Sequence, residues 1–109
     1  MASSYLVLGQ VAPAATTETT LYTPSFTKSA IVSTIAICNQ AASAATYRIG
    51  VWKSGVAVSS APTWLVYGAT VNANDTTFLT LGVTLENGAT LRVYSSSGTV
   101  SFHAYGSEL

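Results

Sequence analysis

Residues 28–39 read KSAIVSTIAICN, and this stretch decides the fold. In an extended chain Ile31, Ser33, Ile35 and Ile37 fall on one side, with Ala30, Val32, Thr34, Ala36 and Cys38 on the other. β-Branched residues at this density favour a strand over a helix. Both sides are small or apolar, so the spacing predicts a central strand covered on both faces.

The sequence on either side repeats the strand signal at short intervals, each run closed by turn residues. Upstream, residues 5–11 form one candidate, ended by Ala12-Pro13, and residues 21–23 form a second, stopped by Pro24. Downstream, residues 46–53 set Tyr47, Ile49 and Val51 against Arg48, Gly50 and Trp52, before a turn at Lys53-Ser54-Gly55. Residues 62–70 follow, with Trp64 and Val66 facing opposite to Leu65 and Tyr67. Asn72-Ala73-Asn74-Asp75 is a turn, because Asn and Asp accept left-handed backbone and bond their own amides. Leu79, Leu81 and Val83 are expected to form the inward row of the next strand. Asn87-Gly88 favours a tight hairpin into Leu91 and Val93. Residues 99–105 complete the series, with Val100, Phe102 and Ala104 opposed by Ser101, His103 and Tyr105.

Seven or eight short strands without a crossover helix predict an all-β fold, an antiparallel β-sandwich or jelly roll. The sandwich domain is assigned to residues 21–109. Residues 1–20 read as an N-terminal arm or an edge strand.

Composition narrows the function. The chain has 109 residues, enough for one domain with one core. Charged residues are only 7%, against about 25% in an ordinary soluble domain. Lys28, Arg48, Lys53 and Arg92 are spread along the chain and balanced by four acids, so no nucleic-acid partner is expected. Cys38 is the single cysteine, which excludes a disulfide scaffold and predicts a buried structural thiol. No stretch approaches the ~18–20 apolar residues of a spanning helix, so no membrane partner is expected. Residues 1–10 lack the pattern of a signal peptide, which makes an intracellular location the expectation. A neutral surface this poor in charge does little to resist self-association, and the expectation is a component of an assembly.

Chemistry is sparse. His103 is the only histidine, and no motif places Glu18, Asp75, Glu86 or Glu108 beside it, so no catalytic residue is assigned. No metal-ligand spacing and no phosphate-cradling loop occurs, so no metal and no cofactor are assigned. An Asn72–Asp75 calcium loop lacks the further carboxylates such sites use. The aromatic residues are the remaining lead. Trp52, Trp64, Tyr67, Tyr94, Phe102 and Tyr105 are candidates for a sugar-stacking face, but also for core and subunit contacts.

The segment LGQVAPAATT at 8–17, followed by LYTP at 21–24, resembles the start of small virion structural proteins of tailed bacteriophages, notably cyanophages. KSAIVSTI at 28–35 with Cys38-Asn39, TYRI at 46–49, NANDT at 72–76, LTLGVTL at 79–85 and SFHAYGSE at 101–108 extend the likeness over nearly the whole chain. One departure is Pro24-Ser25-Phe26-Thr27, which stands where that family carries a Val-Pro-x-Gly turn. The resemblance implies a non-enzymatic β-sandwich of the virion, made in the host cytoplasm. A capsid decoration (cement) protein is the favoured form: a homo-oligomer, with a trimer preferred, on the major capsid protein outside the head. A neck, tail, baseplate or fibre accessory is the alternative, with host glycan as a further partner, and so is a stand-alone carbohydrate-binding module. Tyr22, Phe26, Trp52, Trp64 and Tyr105 are the expected interface residues.

Overall fold

A computed structural model describes residues 4–55 and 64–109. Its eight strands are β1 (Ser4–Val11), β2 (Thr19–Tyr22), β3 (Ala30–Asn39), β4 (Ala45–Trp52), β5 (Trp64–Val71), β6 (Asp75–Leu85), β7 (Thr90–Ser95) and β8 (Val100–Glu108). The start of the strand expected at 62 lies outside the described residues.

The strands form two antiparallel sheets of four, in the orders β1-β8-β3-β6 and β2-β7-β4-β5. The pairings β1·β8, β2·β7, β3·β6 and β4·β5 nest inside one another. A long antiparallel ribbon rolled over on itself gives this order, which is the jelly-roll form of the sandwich. Residues 4–11 are therefore the edge strand of the first sheet, paired along β8, and do not project as a free arm.

The core lies between the sheets. Val32, Ile35, Ile37, Leu85, Val100, Phe102 and Ala104 from the first sheet meet Leu21, Tyr47, Ile49, Val71, Leu91 and Val93 from the second. Tyr47 and Phe102 pack edge to face, with ring centroids 6.2 Å apart. Asn39 is buried and closes one end of the sandwich. Its Nδ2 donates to the carbonyl of Ser43 at 2.8 Å, and its Oδ1 accepts from Ala41 N and Thr99 Oγ1, each at 3.1 Å.

Strict alternation fails at one level of the first sheet. Leu8 in β1, Ser33 in β3 and Leu81-Gly82 in β6 are extra residues relative to their partners, so a line of bulges crosses the sheet. Ala30 and Val32 point inward before the bulge, and Ile35, Ile37 and Asn39 after it. Three expectations are corrected in consequence. β3 is central within its sheet, but its outer side faces solvent at Ile31 and Ser33. Cys38 lies half-buried on that outer side, not in the core. Leu81 leaves the inward row and is exposed, while Leu79 and Val83 pack on the core. Gly82 supplies the left-handed backbone (φ +65°) that this bulge requires.

Candidate functional site

The outer side of the second sheet carries a continuous group of aromatic and cationic side chains, assembled by strand register. Arg48 of β4 sits directly between Tyr94 of β7 and Tyr67 of β5. Its guanidinium carbon lies 4.2 Å from the Tyr94 ring centroid, 4.3 Å from that of Tyr67 and 5.8 Å from that of Trp64. The next row is Thr20, Arg92, Gly50 and Trp64, and the one beyond it holds Trp52 opposite Thr90.

Gly50 makes this arrangement possible. A Cβ there would stand 2.6 Å from the Trp52 ring and 2.9 Å from that of Trp64. With no side chain in the way, the two indoles fold over Gly50 and meet edge to face at 5.2 Å; Trp64 meets Tyr67 at 6.0 Å. Trp52 is consequently only 2% exposed, beneath this outer layer.

Electrostatics divide the two arginines of this face. Arg92 is paired with Glu18 at 3.0 Å, although its Nε–H is not aimed at the carboxylate, and it donates to Thr20 Oγ1 and the Glu18 carbonyl. Asp75 accepts from Thr76 N, Glu86 from Ser54 N, and Glu108 from Tyr22 and Ser25. All four acids of the chain are thus engaged away from Arg48, which has no ion pair among the described residues.

The first sheet's outer side is different. Gln10, His103, Ala36 and Phe78 form one cross-strand row, and Val7, Tyr105, Thr34 and Thr80 another. None of these residues is an Asp, Glu, Lys or Arg. His103 lies parallel to Tyr105 at 6.4 Å, and its Nδ1 is 3.0 Å from Gln10 Nε2. An open groove of about 310 Å³ runs beside them, lined by Gln10, Val11, Ala12, Ser101 and His103. Among the described residues no group of three His, Cys, Asp or Glu side chains comes together to hold a metal.

The five expected interface residues do not share a surface. Trp52 is a correction: its ring is already covered within the chain and offers no area to another subunit. Trp64 is half-exposed on the second sheet, and Tyr105 half-exposed on the opposite outer face. Phe26, in the β2–β3 loop, is 89% exposed. Tyr22 spans the seam between the sheets, its hydroxyl donating to the Glu108 carboxylate at 2.5 Å. Burial first, then the hydrogen bond and the charge of Glu108, push the Tyr22 phenol far above its ordinary range. Glu108 is in turn held below its usual value, chiefly by the Tyr22 hydroxyl and then by Ser25.

Of the six sugar-stacking candidates, Phe102 is in the core, Trp52 is buried and Tyr105 is on the other sheet. Trp64, Tyr67 and Tyr94 remain together. Alternation separates Trp64 from Tyr67, but register shifts in the β4–β5 pairing bring both to the outer side. Arg48 was missed as a site residue, although the lack of any nearby acid in sequence was a usable signal.

The class defined by these features is a jelly-roll β-sandwich with one uncharged outer face and one aromatic, cationic outer face. Compared with known proteins, the chain matches no family model, no curated protein and no solved structure.

Proposed function

We propose that this chain is a non-enzymatic structural component of a phage virion, a capsid decoration protein that binds the outside of the head and stabilises the shell. The uncharged outer side of the first sheet carries this reading. Phe78 is 67% exposed there and Val7 47%, beside Tyr105 and the small residues Thr34 and Ala36. An apolar face on a chain with so few charges marks a contact surface, since covering it recovers about 25 cal/mol per Å². Homo-oligomer and capsid contacts through such a face, repeated over many copies, add up to a strong clamp. A trimer on the major capsid protein is the favoured arrangement, with Phe26 and Tyr105 as accessible anchors. The sequence resemblance to phage virion proteins supports the setting, and jelly rolls recur in capsid domains, an argument from analogy alone.

Immunogold electron microscopy of virions, with antiserum raised against this protein, tests the proposal. Label spread over the head is the expected result. Label confined to neck or tail overturns it and favours an accessory role there, and unlabelled virions overturn the virion setting altogether.

A further inference from the structure

We infer that the Tyr94–Arg48–Tyr67 row is a binding site for an acidic saccharide, a pyranose bearing a carboxylate, independent of where the protein sits in an assembly. The argument starts from the guanidinium. Its carbon lies 4.2 and 4.3 Å from the centroids of the two tyrosine rings that flank it in the row. Contact with two rings holds the guanidinium in place, and its N–H groups are the part that can meet a ligand. A carboxylate matches a guanidinium fork with two parallel hydrogen bonds.

The chain brings no carboxylate of its own to Arg48: among the described residues Glu18 pairs with Arg92, and Asp75, Glu86 and Glu108 accept their hydrogen bonds elsewhere. A lone cation also suits a single carboxylate better than a polyanion. Arg92, the nearest cation in the rows, is neutralised by Glu18, and a nucleic acid needs several positive charges in line.

The surroundings select a sugar. Tyr67 is 66% exposed and Trp64 half-exposed, both on β5, the edge strand of its sheet. Their rings form an open apolar step beside Arg48, on which the C–H face of a pyranose can lie while its carboxylate reaches the guanidinium. Trp52 beneath them, tucked over Gly50, supports the step from below and does not itself touch the ligand.

The test is an amide and side-chain NMR titration of the full chain with three probes: methyl β-D-glucuronoside, methyl β-D-glucoside and sodium acetate. The expected result is a shift of the Arg48 Nε–H and Trp64 indole signals. The glucuronoside should bind about tenfold or more tightly than either other probe, as charge-assisted hydrogen bonds and stacking together predict. Arg48→Lys keeps the charge, loses the planar fork, and should bring the glucuronoside down to the level of the glucoside. If that variant does not fold, the three-probe comparison on the native chain still decides. Equal affinity for the acidic and the neutral sugar overturns the role of Arg48. Acetate binding as tightly as the glucuronoside overturns the saccharide, and no shift with any probe at millimolar concentration overturns the site.

Discussion

The two outer faces of the sandwich use similar side chains, but a small residue does opposite work in the middle of each. On the second sheet Gly50 lies beneath two indoles, and its missing Cβ lets Trp52 and Trp64 close over the strand. Arg48 then bridges the rings of Tyr67 and Tyr94. On the first sheet Ala36 and Thr34 form the floor of the central strand, and Phe78 stands apart from His103 with Ala36 between them in the row. The second face gathers Trp52, Trp64 and Tyr67 into one cluster with Tyr67 open to solvent, whereas on the first face Phe78 is exposed away from the stacked His103 and Tyr105. The difference teaches that aromatic content does not mark a binding surface until the neighbours of each ring are known.

Substitutions can break this contrast. The largest effect is expected at Trp52, where truncation to Ala should destabilise the fold by about 3–5 kcal/mol. Phe78→Ala should change stability by less than about 0.5 kcal/mol, because its ring is mostly in water already. Chemical denaturation of both variants measures the pair, and similar losses would erase the distinction between the faces.

A middle-sized effect is expected at Gly50. Gly50→Ala places a methyl group against both indoles and should cost about 1–3 kcal/mol by overpacking. It should also expose Trp52, seen as a red shift of tryptophan emission. An unshifted spectrum with native stability would mean that Gly50 does not hold the cluster in place.

The smallest effect belongs to the seam that joins the faces, where Tyr22 of β2 meets Glu108 of β8. Glu108 is depressed below the ordinary value of 4.5, so its contribution is present above that pH and is lost as pH falls through its folded value. The Tyr22 phenol is raised above 10.0, so its contribution is complete below that pH and is lost on further alkalinisation. The thermal midpoint should therefore hold level between these limits and fall on both sides. Tyr22→Phe should remove that residue's share of the alkaline fall, leaving the share of Tyr47, whose phenol burial also raises. It should also flatten the acid fall, since Tyr22 is the main cause of the Glu108 shift. An acid limb unchanged in Tyr22→Phe would show that Ser25 alone holds the carboxylate.

Much of the architecture was legible in the chain. β-Branched alternation gave the strands, and Asn72–Asp75 and Asn87-Gly88 gave turns that the structure builds with Asn74 and Gly88 at positive φ. The hairpin expected at Asn87-Gly88 is corrected: this turn joins β6 of one sheet to β7 of the other, which do not pair. The inward residues of β4, β7 and β8 followed from period-two spacing alone. β3 did not follow, because its one extra residue inverts the parity of everything beyond it; in β6 two extra residues keep the parity of Leu79 and Val83 but turn Leu81 out of the inward row. The aromatic site was half legible for the same reason. Trp64, Tyr67 and Tyr94 stand out in the sequence as aromatic candidates together with Phe102 and Tyr105, which the fold sends to the core and to the opposite sheet.

The sequence by itself determined that this is an all-β chain with a nearly uncharged surface, because residue type and local spacing are properties of the chain before it folds. Only the tertiary structure decided which rings meet. Arg48, Tyr67 and Tyr94 are far apart in sequence and become neighbours through the pairing of β4 with β5 and β7. That pairing depends on register, which bulges shift by single residues and which no local pattern encodes.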